Sequence, residues 1–88
     1  SNTNWGLTVD WGGVRDKTCA ILHAYDFRQN KLLVWDEQVW EPNTPTSIIV
    51  EGIRLLQSRN NIQVETIYAD VPGQISIDLL NNHNHFFL

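Results

Sequence analysis

A single cysteine in 88 residues excludes an internal disulfide and points to a reducing compartment. Cys19 lies in an apolar run, so a buried, inert thiol is expected there. The histidines do not supply a zinc site either. His23, His83 and His85 stand at no ligand-like spacing from Cys19, and packing or surface roles are expected for them. Cations are scarce: six Lys and Arg against ten Asp and Glu leave a net charge of −4. With a pI near 5.1 the chain has no overall basic field to collect phosphates, which argues against a free-standing DNA-binding module. No apolar run approaches the roughly 20 residues of a membrane span. Nor does a charged-then-apolar leader open the chain, so a soluble, cytoplasmic protein with no membrane partner is expected. Internal repeats and low-complexity tracts are absent.

What is present favours a folded state. Apolar residues make up 42% of the chain, and four Trp and three Phe bring large buried area per residue. The length suits one domain at most, over 1–88, with a modest core. Ser1-Asn2 has the look of a cleavage scar. His85-Phe86-Phe87-Leu88 stops in apolar residues without a cap or polar tail, and a fragment of a longer chain is expected.

Periodicity orders the elements. Trp5 to Trp11 alternates Leu7 and Val9 with Thr8 and Asp10, a strand that Gly12-Gly13 break. Strands are expected over about 5–11, 17–27 and 31–40, the last two joined at Arg28-Gln29-Asn30 as a hairpin. Links this short leave no room for crossover helices, so the three should form an antiparallel meander. Glu41 to Thr46 (EPNTPT) punctuates the chain, with Thr44 as the expected cap and Pro45 in the first turn of a helix over about 45–59. Ile49, Ile53 and Leu56 form its apolar stripe, with Ile48 and Leu55 beside them, Gly52 allowing close packing or weakening the helix, and Asn60-Asn61 ending it. A fourth strand over 64–70, a Val71-Pro72-Gly73 turn, a second helix over about 73–82 and a fifth strand over 85–88 complete the expected order.

Two of these strands end in an acid. A strand, helix, strand connection is normally parallel and right-handed, so the strand ending at Asp70 can lie beside the one ending at Asp10. Their carboxylates would then converge where ligands of open α/β sheets gather, and would repel unless protonated or bridged by a cation. Oxygen-only ligands favour Mg²⁺ or Mn²⁺ and phosphoryl chemistry. Asp also ends strands simply because it starts turns, and that reading competes with the metal.

Asp10-Trp11-Gly12-Gly13 with Asp16-Lys17-Thr18 before a hydrophobic strand, the Pro-containing helix start, and Ile67-Tyr68-Ala69-Asp70 together resemble the nuclease domain of phage terminase large subunits. The resemblance implies an α/β, ribonuclease H-like mixed sheet: three antiparallel strands, then strands four and five parallel to the first, with helices packed on the sheet. It implies a metal-dependent endonuclease that cuts viral DNA by two-metal phosphodiester hydrolysis. Asp10 and Asp70 match the first two acids of the family's site, and the third lies beyond the stretch resembled here, so the isolated chain is expected to be a partial, weakly active or inactive domain. Double-stranded DNA, the terminase ATPase domain, the small terminase subunit and the portal are the implied partners, in the host cytoplasm during phage assembly.

Lesser candidates surround this pair. Asp16 could hold an outer-shell metal water or be a solvated turn acid. Arg15 and Lys17 could touch phosphate or be simply solvated. Glu37 and Glu51 could face the site. Trp5, Trp11, Trp35 and Trp40 could stack bases, with core or edge packing the plainer role. Two other functions compete. Asp-x-Gly-Gly after a strand also resembles the phosphate loop of the sugar-kinase and actin superfamily of ATP-binding domains, although Val14-Arg15-Asp16 separate the glycines from Thr18. An inert prophage remnant that only binds a partner is the other.

Overall fold

Alternation in the first strand decides where the core lies. Leu7 and Val9 are buried while Thr8 and Asp10 are exposed, the period of two that a pleated strand imposes. The computed structural model describes residues 3–64, 67–70 and 86–87. Its elements run β1 (Thr3–Asp10), β2 (Thr18–Asp26), β3 (Lys31–Trp40), α1 (Thr46–Arg59), β4 (Ile67–Asp70) and β5 (Phe86–Phe87). They build one sheet in the order β3-β2-β1-β4-β5. β1 pairs antiparallel with β2 and β2 with β3, whereas β4 runs parallel to β1 and β5 parallel to β4. This is the mixed α/β sheet of a ribonuclease H-like fold. The helix expected over 73–82, the Val71-Pro72-Gly73 turn, His83 and His85 lie outside the described residues.

One face of the sheet carries the core. Leu7 and Val9 of β1, Ala20 and Leu22 of β2, Trp40 of β3 and Ile67 and Ala69 of β4 cluster with Ile49, Val50, Ile53 and Leu56 of α1. Burying each such Leu, Ile or Val side chain contributes about 1.5 to 3 kcal/mol. The helix turns a narrower stripe to the sheet than its composition suggests, because Ile48 and Leu55 point outward and are each 54% exposed. The buried side spreads instead toward Val50 and Gln57, one residue after Ile49 and Leu56, so the preceding positions, about 100° around a 3.6-residue helix in the opposite sense, face outward.

Thr44 does not cap α1. Pro45 occupies the N-cap position without a side-chain hydrogen bond, and its carbonyl accepts from the Ile48 and Ile49 N–H groups. Thr44 Oγ1 is drawn instead into the preceding turn, where it donates to the Glu41 carbonyl at 2.7 Å. At the other end Asn60 and Asn61 stop the helix, Asn61 in the left-handed region at φ 53°. The carbonyl of Gln57 accepts from the Asn60 and Ile62 N–H groups, and its buried side-chain oxygen accepts from the Val64 N–H at 3.0 Å. That single residue steers the chain from the helix toward β4.

Two further contacts tie α1 to the β3 edge. Arg59 donates to Asp36 at 2.8 Å, to the Gln38 side chain at 3.2 Å and to the Glu37 carbonyl at 3.1 Å, while the Asn60 amide also donates to Asp36. Trp40 packs so close to Gly52 that a Cβ there would overlap indole Cζ2, so the glycine serves close packing. β3 otherwise leaves Leu32, Val34 and Trp35 largely exposed at the sheet edge, interrupted by an irregularity opposite Leu22 and His23. Bulges of this kind, with the Lys31 charge, discourage edge-to-edge pairing.

Gly52→Ala sets a helix-propensity gain of about 1 kcal/mol against overpacking that typically costs about 1 to 3 kcal/mol. Net destabilisation is expected in urea unfolding. Trp40→Phe removes the ring atoms that collide, so the double variant should lose less than the sum of the singles; strict additivity would contradict this packing.

Hydrogen bonds from Arg59 and Asn60 hold the Asp36 carboxyl far below the ordinary carboxylate range. A depressed carboxyl stabilises the fold above its unfolded pKa of about 3.9 and loses that contribution as pH falls toward the folded value. Asp36→Asn should therefore flatten the acid limb of the stability curve below about pH 4, measured as urea midpoint against pH; an unchanged limb would contradict the assignment.

Candidate metal centre

Asp10 closes β1, and its register partners define its surroundings. β4 places Asp70 opposite it on one side, and β2 places Cys19 opposite it on the other. Adjacent strands lie about 4.8 Å apart, so the backbones at positions 10 and 70 approach closely although 59 residues separate them in sequence. Equal register on parallel neighbours puts both positions on the same face of the sheet, the one away from α1. Asp10 is exposed.

The remaining candidates distribute as follows. Cys19 is half-buried rather than fully buried, because its alternation puts it on the open face beside Asp10. Burial, then the Glu37 and Asp10 charges, push its thiol pKa up, which keeps it protonated and a poor nucleophile. Glu37 stands opposite Ile21, two strands from β1 on the same face. Glu51 sits on the exposed side of α1 and pairs with Arg54 at 3.2 Å. Asp16 is exposed in the turn after β1. Among the described residues no three His, Cys, Asp or Glu side chains gather into a cage for an ion. Asp10 and Asp70 are thus the two acids that register brings together, and both are oxygen donors of the hard kind that Mg²⁺ and Mn²⁺ prefer.

Sequence reasoning missed how the loop after Asp10 is held. The Gly12 N–H donates to the buried Thr18 hydroxyl at 3.0 Å, the Asp16 N–H to the Gly12 carbonyl at 3.2 Å and the Asn43 N–H to the Gly13 carbonyl at 2.8 Å. A side chain at Gly12 would collide with the Asp16 and Lys17 carbonyl oxygens, and Gly13 takes φ 67°. These glycines therefore serve a tight turn. The Gly12 N–H is engaged inside the loop, so it is no donor for a nucleotide phosphate. Gly12, followed six residues later by Thr18 at a strand start, is the signal that could have suggested the pairing.

His23 and the tryptophans have packing roles here. His23 Nε2 shares a hydrogen bond with Thr8 Oγ1 at 3.0 Å, and its ring covers Gly6, 2.5 Å from where a Cβ would stand. Burial lowers its pKa and favours the neutral imidazole. Trp40 is in the core, and Trp5 and Trp11 pack against it. Trp35, 56% exposed, meets Trp5 edge to face at 5.4 Å between ring centroids. Among the described residues no helix is long and apolar enough to cross a membrane.

No family model and no curated protein matches the sequence. Among solved structures, the crystal structure of the large-terminase nuclease domain of bacteriophage SPP1 with bound Mn is similar, at 25% identity and a TM-score of 0.58. The match covers 92% of this chain and 42% of that one, so the chain spans less than half the length of the domain it resembles. Over that stretch the chain has the ribonuclease H-like fold of a phage large-terminase nuclease domain.

Proposed function

We propose that this chain supplies the Asp10 and Asp70 carboxylates of a divalent-metal site for phosphodiester hydrolysis of viral DNA during packaging. The observation that carries the reading is the register of β1 and β4, which pairs two acids at the ends of parallel strands. The likeness to a nuclease domain crystallised with Mn adds support. When bound, Mg²⁺ or Mn²⁺ would supply an activated water and stabilisation of the leaving oxygen. Asp10 and Asp70 would be the residues that hold the metal. Asp16 is assigned an outer-shell water. DNA is the substrate, and the packaging motor, small terminase subunit and portal are the partners of the assembly in the host cytoplasm.

Two carboxylates make a sparse ligand set for a pair of ions. One ion is therefore expected to bind, weakly, and cleavage by this chain alone should be slight. Mn²⁺ should raise the melting temperature of the 88-residue chain, since ligands of the native state stabilise it by RT ln(1 + [L]/Kd). Asp10→Asn and Asp70→Asn should each abolish that rise while Glu51→Gln keeps it. An undiminished Mn²⁺ response in both variants would exclude this site. Robust plasmid cutting by the chain in Mn²⁺, lost in Asp10→Asn, would instead show that two carboxylates suffice.

A further inference from the structure

We propose that the loop of residues 11–17 anchors the DNA backbone beside the acid pair, with Arg15 as its phosphate contact. The nuclease reading is needed for the identity of the polyanion, and the loop itself is defined by its own geometry. Charge distribution singles out Arg15. Of the six Lys and Arg, Lys17 pairs with Glu41, Arg54 with Glu51 and Arg59 with Asp36. Arg28 in the β2–β3 turn and Lys31 at the start of β3 lie at the opposite end of the sheet from Asp10. Arg15 is exposed at the acid end and engages no acid among the described residues.

A phosphate approaching Asp10 meets a chain of net charge −4. A cation held at the same end of the sheet offsets part of that repulsion and retains the strand. Guanidinium suits the task because its planar fork of donors matches phosphate oxygens. The loop is also prepared for it. The Thr18, Gly12 and Asn43 hydrogen bonds fix the turn before any ligand arrives, so little ordering entropy is lost when the backbone docks. Thr18 is then a positioning residue that acts through the loop.

Anisotropy of a labelled 30-base-pair duplex with the 88-residue chain, over a salt series in EDTA so that nothing is cut, tests the assignment. Arg15→Gln should weaken binding about tenfold and lower the slope of log K against log salt by about 0.9, the signature of one lost phosphate contact. Arg28→Gln should leave both within about twofold. Thr18→Val, where its spectrum shows a folded chain, should weaken binding with the slope kept, since the charge remains on a loosened loop. Arg15→Gln does not depend on that variant folding, as its side chain is exposed. Wild-type affinity and slope in Arg15→Gln, an equal loss in Arg28→Gln, or no binding by the native chain at low salt would each overturn the proposal. Arg15-dependent binding without any Mn²⁺ effect would leave the anchor standing and sink the metal site, whereas Mn²⁺ binding with Arg15-insensitive affinity would do the reverse.

Discussion

The parallel pairing of β1 with β4 is the constraint on which the rest depends. A parallel neighbour cannot be reached by a tight turn; the chain must cross over the sheet, and α1 is that crossover. Ile67 and Ala69 enter the core beside Leu7 and Val9 in this register, and a slip of one residue would turn them to the open face. The same register brings position 70 opposite position 10. Core packing and the acid pair are therefore set by a single alignment, and neither can shift without the other.

Contacts far from Asp10 serve that alignment. Gln57 makes the turn from α1 toward β4 by accepting backbone N–H groups through both its carbonyl and its side chain. Arg59 and Asn60 fasten the same helix end to Asp36, and Trp40 packs into the space Gly52 leaves open. A helix held at its last turn and its middle delivers β4 at a defined height along β1. The buried amide of Gln57 is satisfied by backbone groups, as a polar side chain in a core must be. The exposed Arg59–Asp36 pair works as a three-partner clamp, a stronger device than an isolated surface pair.

Charge poses the opposite problem. A chain of net charge −4 with acids at one sheet end repels polyanions. In the reading proposed above, divalent ions neutralise the acids and Arg15, which engages no acid among the described residues, holds the strand. The open face holds apolar groups too, with Tyr68 and Val34 exposed on it. Its middle is closed by His23 lying over Gly6 and bonded to Thr8.

Local pattern was enough to read the strands and α1, since alternation and 3.6-residue spacing are properties of neighbouring residues. It also marked Asp10 and Asp70 as strand-end acids and Gly12-Gly13 as a break. It misassigned Thr44, whose hydroxyl has a nearer acceptor in the Glu41 carbonyl, and it overcounted the buried side of α1, because composition does not say which flank of a stripe meets the sheet. Register, the Thr18 bond that winds the loop, and the seating of Trp40 on Gly52 join residues distant in the chain or depend on backbone direction, so only the tertiary structure decided them. What the sequence determined by itself was which residues could bear chemistry; which of them stand side by side was decided by how the strands align.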